Sequence, residues 1–303
     1  MSAAVVFAYH NVGCRCLAVL LARGIEVRLV VTHRDAPGEN IWFDSVAALA
    51  AEHGLPVMAP ESPADPALLA GVRDAAPDLL FSLYYRHMLG EALLGVPRLG
   101  AFNMHGSLLP HYRGRVPVNW AVIRGERETG ASLHHMVARP DAGDLVDQQA
   151  VPILPDDTAR QVFDKVTVAA EMVLDRQADA LAAGTAPRRP LDLTSGSYFG
   201  GRKPEDGRIH WTRPAREVHD LVRGVAPPYP GAFTTLEGRP ARVLRTLHRS
   251  LPTTEPPGTV YRDGDRLLAA CGDGRALPVL HLEIAGQRVM PTDLPGGRLR
   301  AAA

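Results

Sequence analysis

The sequence predicts an α/β protein in two parts. A Rossmann-like domain with a mostly parallel sheet comes first, and a small β-barrel, OB-like C-terminal domain follows. Three observations carry this prediction. Short apolar runs alternate with helical patterns from Ala3 to Ala183, the signature of β-α-β units. A stretch rich in Pro, Arg, Gly and Ser, with little periodicity, then runs from Thr185 to Pro204. Beyond it, short β-like runs are separated by Gly, Pro and Asp.

Ala3-Ala-Val-Val-Phe-Ala-Tyr9 is nearly all apolar, as in a strand buried on both faces of a parallel sheet. A loop at His10-Asn-Val-Gly13 leads to a helix with Leu17, Leu20 and Leu21 at helical spacing and Gly24 at its end. Val27 to Thr32 is the second strand, and the crossover is right-handed. Gly13 stands alone, without G-x-G-x-x-G, so the opening turn is no dinucleotide fingerprint. A Rossmann-like fold need not bind NAD.

His33 to Asn40 is a turn-rich connection. Phe43 to His53 reads as an amphipathic helix, and Gly54-Leu-Pro-Val57 opens a third strand. Pro66 to Ala75 is a helix with Asp65 as its cap. Asp78 to Leu83 is the fourth strand, with Tyr84-Tyr-Arg-His-Met-Leu89 at its carboxyl end, where open α/β sheets collect ligands. Leu99 to Met104 is the fifth. A helix at Pro117 to Arg124 precedes strands at Thr129 to Val137 and Leu145 to Ile153, joined through Arg139-Pro-Asp-Ala-Gly143. Asp157 to Ala183 is a long helix, with Asp157 or Thr158 near its cap and Gly184 at its end.

The second part carries one helix, Ala215 to Gly224, and strands at Ala232–Leu236, Ala241–Leu247, Gly258–Arg262, Leu267–Cys271 and Leu277–Glu283. The tail after Pro291 reads as frayed. We place the first domain at residues 1–189, a linker at 190–206 and the β domain at 207–303.

The 303 residues carry 33 Lys and Arg against 33 Asp and Glu, which gives no electrostatic reason to expect nucleic acid as the bulk partner. Cys14, Cys16 and Cys271 are too scattered for a disulfide framework and lack a zinc-ligand spacing, so they read as plain thiols. The N-terminus has no signal-peptide character, and no apolar run approaches the ~20 residues of a membrane span. The expectation is a cytoplasmic protein with no metal and no membrane association.

The chemistry concentrates in Ala101-Phe-Asn-Met-His-Gly-Ser-Leu-Leu-Pro-His-Tyr-Arg-Gly-Arg115, which leaves the fifth strand and turns at Gly106. Asn103 and His105 are two residues apart on a strand, so they share a face. A His can take a proton from an amine and deliver one to a leaving nitrogen. An Asn amide can donate to a developing oxyanion. Asp141 alone would read as a turn cap; with the other two it reads as the carboxylate that sets the tautomer and pKa of His105. Arg113 and Arg115 suit phosphate groups or are solvated loop arginines. Ser107 reads as a turn residue, since there is no G-x-S-x-G elbow. His134 and His135 alternate faces, so at most one points inward, and both read as structural. Tyr84 and Tyr85 read as core.

The motifs Asn103-x-His-Gly-Ser-Leu-Leu-Pro110, Tyr112-Arg-Gly114, Gly125-Glu-x-x-Thr-Gly130 and Asp141-Ala-Gly143 together resemble the 10-formyltetrahydrofolate-dependent formyltransferase family. Phe199-Gly-x-Arg202 and Pro230-Gly-Ala-Phe233 extend the likeness into the second part. Phe7-Ala-Tyr-His10, Asp35-x-Pro-Gly-Glu39, Tyr84-Tyr-Arg-His87 and Arg113-Gly-Arg-x-Pro-x-Asn-Trp120 resemble the branch that acts on UDP-4-amino-4-deoxy-L-arabinose in polymyxin resistance. The resemblance implies His105 as the proton-transfer residue, Asn103 as stabiliser of the intermediate and Asp141 as tuner of His105. It implies that His87, Met88 and Leu89 line the pocket for N10-formyltetrahydrofolate, largely through backbone groups, with Asn103 and Asp141 also touching this donor. Arg115, Val137, Ala138, Arg139, Pro140 and Asp141 would contact the sugar nucleotide. That branch is commonly fused to a decarboxylating UDP-glucuronate dehydrogenase, so either the oxidative step is expected on another chain or the protein serves a different amino sugar. Tyr229 stands where a Trp is familiar, and Met104 where a Leu is.

Two other functions compete. Methionyl-tRNA formyltransferases resemble this chain in length and layout but carry a longer basic loop after the second strand. Here that connection is short, with Asp35 and Glu39 against Arg34. A non-catalytic folate- or nucleotide-binding module is the third reading, against which stand the intact Asn103, His105 and Asp141.

Overall fold

A computed structural model of the protein describes residues 2–294 and 297–301. The chain forms two compact units. Met1–Pro117, Thr129–Val151 and Asp164–Phe199 make the first; Val118–Glu128, Pro152–Phe163 and Gly200–Ala303 make the second.

In chain order the elements are β1 (Ala3–Ala8), α1 (His10–Ala22), β2 (Glu26–Val31), α2 (Val46–Glu52), β3 (Val57–Met58), α3 (Pro66–Asp74), β4 (Leu79–Leu83), α4 (Glu91–Leu94), β5 (Gly100–His105), β6 (Arg113–Gly114), α5 (Pro117–Ile123), β7 (Glu128–His135), β8 (Leu145–Pro152) and α6 (Ala159–Ala183). The first unit's sheet runs β3-β2-β1-β4-β5-β7-β8. Pairings from β3 through β5 are parallel, and β7 lies antiparallel to β5. The mostly parallel sheet expected from the sequence is therefore present.

The central strands are apolar because both faces are covered: every residue of β1 and β4 is buried. Phe7, Phe81 and Phe102 are fully buried, each contributing roughly 1.5–3 kcal/mol by removal from water. This rigid floor ends in the loops at the carboxyl edge. Asp65 caps α3 through Ala67 N–H at 2.8 Å, with Pro66 at the first helical position, as expected.

Several local expectations change. The stretch His10–Gly13 is the first turn of α1, not a loop. Gly13 is small because a Cβ there would lie 3.1 Å from both Ala8 Cβ and Val46 Cγ2, so close packing, not a turn, explains it. The helix expected from Phe43 starts only at Val46, where Ser45 caps it by accepting from Ala48 N–H at 3.2 Å. Phe43 instead stacks on His10, with ring centroids 4.1 Å apart. The expected third strand shifts to Val57–Met58, and α4 has no counterpart among the expected elements.

The chain continues with β9 (Tyr198–Phe199), α7 (Ala215–Gly224), β10 (Ala232–Leu236), β11 (Arg239–Thr246), β12 (Leu251–Pro252), β13 (Thr259–Asp263), β14 (Arg266–Ala270), β15 (Arg275–Ile284), β16 (Gln287–Val289) and β17 (Arg298–Arg300). Strand β9 pairs in parallel with β6, inside the stretch that showed no periodicity in sequence. Strands β10-β11-β15-β14-β13-β17 form a curled antiparallel sheet in the second unit, and a bridge from Leu236 to Ala301 brings its ends together as the predicted small barrel. Its core gathers Trp211, Val218, Val222, Val243, Val260 and Leu282. The segment read as a frayed tail pairs as β17 with β13, while residues 295, 296, 302 and 303 lie outside the described residues.

Helix α7 has the expected bounds and carries a buried polar hub. His219 is fully buried; its Nε2 donates to the Pro155 carbonyl at 2.9 Å and its Nδ1 accepts from Thr246 Oγ1 at 2.8 Å. Arg223, buried beside it, is paired with Asp220 at 2.6 Å and donates to the Asp157 carbonyl at 3.2 Å. One turn of helix thus fixes the 154–157 segment.

Candidate active site

Two cross-strand pairs build the site. In the antiparallel β5–β7 ladder, Asn103 lies opposite His134 and His105 opposite Ser132. The four residues share one face of the sheet, because each pair on a strand is two positions apart.

Asp141 reaches this face from the turn that links β7 to β8. It holds a left-handed conformation, φ 48°, uncommon for a residue with a side chain. Gly143 allows the tight turn: a Cβ there would collide with the His135 carbonyl. Asp141 Oδ2 accepts Gly114 N–H at 2.8 Å. Its Oδ1 lies 3.5 Å from each of three nitrogens: His105 Nδ1, His134 Nε2 and Asn103 Nδ2. Burial opposes ionisation of Asp141, but His105, His134 and the Gly114 amide outweigh it and hold the carboxyl far below the usual range.

His105 is buried, and its Nε2 lies 2.8 Å from the Tyr112 carbonyl oxygen. A carbonyl only accepts, so Nε2 carries a hydrogen and Nδ1 presents its lone pair toward Asp141. Burial lowers the His105 pKa; Asp141 and the Tyr112 carbonyl oppose that by stabilising the imidazolium, and His134 adds to the lowering.

The loop after His105 is fixed by a polar chain. Ser107 Oγ donates to the His111 carbonyl at 2.6 Å. Ser132 Oγ donates to the Ser107 carbonyl at 2.6 Å and accepts from Leu109 N–H and Gln148 Nε2. Gly106 has no room for a Cβ because the Tyr84 hydroxyl occupies that space. Farther on, Tyr112 N–H donates to Ser197 Oγ at 2.8 Å, and the Tyr112 ring stacks on Phe199 at 5.1 Å. Arg113 and Arg115 N–H groups donate to the Ser197 and Phe199 carbonyls.

Asn103, His105 and Asp141 are thus brought together as expected. His134 joins them, which revises its reading as merely structural. Both neighbouring histidines are buried, because both sheet faces are covered: His135 Nε2 bonds the Pro187 carbonyl and its ring packs on Phe102. The sequence signal was available in the register Asn103–His134, but it required knowing that β7 runs antiparallel beside β5. Strand β9 was also missed, since two residues show no periodicity.

The other candidates are placed as follows. His87 and Met88 are exposed just beyond β4, whereas the Leu89 side chain is buried in the core, leaving only its main chain for a ligand. His87 lies beside His33, whose pKa is pushed down to about 4 by burial, His87 and Arg86. Tyr85 stacks on His33 and is core, as expected, and among the described residues its buried hydroxyl has no hydrogen-bond partner. Arg115, Val137, Ala138 and Arg139 are exposed and Pro140 partly so, along the loops that flank Asp141. Arg113 differs from its neighbour: its side chain is buried and donates to the Leu193 carbonyl at 3.4 Å, so only Arg115 of the pair faces solvent.

Chemically, the cluster offers a buried proton carrier, a neutral hydrogen-bond donor and a carboxylate that stays ionised. Among the described residues, no group of three or more His, Cys, Asp and Glu is disposed to hold a metal ion, and no helix is long and apolar enough to cross a membrane.

Comparison with known proteins gives two family matches. Residues 13–177 match the family model described as Formyl transferase, and residues 202–294 match Formyl transferase, C-terminal domain. The N-formyltransferase of Helicobacter canadensis, crystallised with folinic acid and dTDP-3-aminofucose, superposes with a TM-score of 0.71 at 17% identity, over 95% of this chain and 100% of that one. WlaRD, a sugar 3N-formyl transferase crystallised in the presence of dTDP and 5-N-formyl-THF, gives 0.72 at 16% identity, over 95% and 98%. HypX of Aquifex aeolicus, crystallised with tetrahydrofolic acid, gives 0.66 at 15% identity, over 95% of this chain and 46% of that one. At these identities the likeness is one of fold.

Proposed function

The chain belongs to the formyl transferase family, and from that premise we propose that it moves a formyl group from N10-formyltetrahydrofolate to the 4-amino group of a nucleotide-linked amino sugar. The observation that carries the reading is the cluster of His105, Asn103 and His134 nitrogens around Asp141 Oδ1. Formyl transfer to an amine needs a proton carrier and an oxyanion donor side by side, and this cluster supplies both. Relatives of the same fold over nearly the whole chain are sugar N-formyltransferases crystallised with folates and dTDP or a dTDP-sugar, which supports this class of donor and acceptor.

The proposed acceptor is UDP-4-amino-4-deoxy-L-arabinose, on the strength of the Arg113-Gly-Arg-x-Pro-x-Asn-Trp120 and Tyr84-Tyr-Arg-His87 motifs. That acceptor would assign the reaction to lipid A modification in the cytoplasm, with a decarboxylating dehydrogenase supplying its precursor. Exposed His87 and Met88, with the main chain of Leu89, are assigned to the donor, and Arg115 with Val137–Asp141 to the sugar nucleotide. Against a tRNA acceptor, the connection after β2 is short and its acids are engaged within the fold: Tyr9 donates to Asp35, and Glu39 pairs with Arg86.

In this reading His105 Nε2 stays on the Tyr112 carbonyl, so Nδ1 is the atom that moves the proton. The neutral acceptor amine attacks the formyl carbon, and neutral His105 takes up at Nδ1 the proton the amine sheds. Asn103 and the imidazolium so formed donate to the formyl oxygen that has gained charge, and Asp141 compensates the imidazolium. As the bond to N10 breaks, His105 delivers that proton to the leaving nitrogen and returns to the neutral imidazole.

The test is release of tetrahydrofolate from N10-formyltetrahydrofolate with UDP-4-amino-4-deoxy-L-arabinose, dTDP-3-aminofucose and methionyl-tRNA offered separately. Release with the UDP-sugar alone is expected. Release with the dTDP-sugar alone keeps the reaction and changes the acceptor; release only with tRNA overturns the sugar reading.

A further inference from the structure

An asparagine amide has two ends of nearly the same shape and opposite function. The NH2 donates and the carbonyl accepts. Asn103 can stabilise a developing oxyanion only with its NH2 forward, yet a half-turn of the amide fits the same space.

His134 removes the ambiguity. It is the cross-strand partner of Asn103 and is 2% exposed. Its Nδ1 lies 2.8 Å from the His135 carbonyl oxygen, which can only accept, so Nδ1 carries a hydrogen. A neutral imidazole has one N–H, and Nε2 is then a bare lone pair. Nε2 lies 3.1 Å from the Asn103 amide. A lone pair requires a donor opposite, so Asn103 turns its Nδ2 toward His134. One amide hydrogen is held there. The other lies toward Asp141 Oδ1 at 3.5 Å, too long a contact to engage it fully.

The reverse arrangement needs an imidazolium at His134, donating from Nε2 to the Asn103 carbonyl or to Asp141. Asp141 Oδ1 already faces His105 at the same 3.5 Å. During transfer His105 becomes an imidazolium that draws on this carboxylate, and a second imidazolium at His134 would then leave one buried charge uncompensated. Neutral His134 leaves the carboxylate to His105.

Building on the formyl-transfer reading, we infer that His134 is a positioning residue: as a neutral, Nδ1-protonated imidazole it orients the Asn103 amide with a hydrogen toward the reacting oxygen. It acts through Asn103 and touches no reacting atom.

The experiment pairs two substitutions with a spectroscopic readout. His134→Leu removes the acceptor, and His134→Gln supplies an amide oxygen that can accept from Asn103. The Leu variant should lose on the order of 10²-fold in kcat, the scale of a lost oxyanion donor. KM for both substrates should stay within about twofold, because ground-state binding is untouched. The Gln variant should recover most of the loss. A Leu variant with wild-type kcat, or Leu and Gln variants equally impaired and equally lowered in melting temperature, overturns the assignment. Independently of turnover, nitrogen-15 spectra of histidine-labelled wild type should show His134 neutral and protonated at Nδ1 at pH 7. An Nε2–H tautomer or an imidazolium there overturns it. The expected tautomer in a protein that transfers formyl to none of the acceptors would sink the reaction and leave the His134–Asn103 geometry standing.

Discussion

His105 Nε2 donates to the carbonyl oxygen of Tyr112 at 2.8 Å, so main chain seven residues away sets which nitrogen of the imidazole is free. Replacing His105 by Gln keeps a hydrogen bond to Tyr112 and removes the proton carrier. Turnover should fall by roughly 10²–10⁴, the usual range for a general acid–base residue. Binding of N10-formyltetrahydrofolate, measured by calorimetry, should persist. Loss of donor binding with turnover would mean that His105 holds the ligand instead.

Asp141 raises the His105 pKa against the lowering effect of burial. Activity should therefore fall as pH drops below a His105 value that itself lies under the ordinary ~6.5. In Asp141→Asn the raising influence is gone, so the acid limb should move to lower pH and kcat should drop. A pH–rate profile of the variant shifted upward, or a flat wild-type profile from pH 5 to 9, would count against the relay.

Gly114 has φ +97°, and a side chain there would meet the Phe199 carbonyl. Its N–H also holds Asp141. Gly114→Ala should cost about 1–3 kcal/mol of stability through backbone strain alone and lower kcat by misplacing Asp141. Denaturant unfolding alongside kinetics measures both; an unaffected kcat would show that the Gly114 contact is dispensable.

Among the described residues the buried Tyr85 hydroxyl has no hydrogen-bond partner. Leaving such a group unsatisfied costs about 1–3 kcal/mol, so Tyr85→Phe should stabilise the first unit by about 1 kcal/mol. A lower melting temperature in the variant would reveal a partner for the hydroxyl.

Burial depresses the pKa of His219, and Arg223 adds to this, while the Pro155 carbonyl, Asp220 and Asp156 oppose it. The unfolded chain takes up a proton near pH 6.5 that the folded state resists. Stability is therefore complete above that pH and declines as pH falls from there toward the lower folded-state value. His219→Gln should be less stable at pH 8 and should show a weaker decline between pH 6.5 and 5. Equal slopes for both proteins would place the acid sensitivity elsewhere, for instance at His105 or His135.

The legible part of the molecule was what period and packing encode. The apolar runs of β1 and β4, the α7 bounds and Ala232–Leu236 follow from residues that repeat at the spacing of their element. Asn103 and His105 were legible as a pair because they are near in sequence. His134 was not, since a histidine on an apolar strand looks the same whether it faces a core or a site, and only the partner strand decides. Gly13 was misread because a glycine needed for close packing resembles one needed for a turn. The pairings of β9 and β17 are set by strands far away in the chain.

The β6–β9 pairing ties the reactive loop to residues 85 positions downstream. All seven strands of the large sheet are complete by Pro152, well before Phe199. A growing polypeptide can thus finish its scaffold while the segment after Gly114 still lacks the neighbour that holds it. Competence for chemistry then arrives as a separate, later event than formation of the sheet. Any dissection meant to isolate an active fragment must carry the chain through Phe199, however complete a shorter piece looks by its secondary structure.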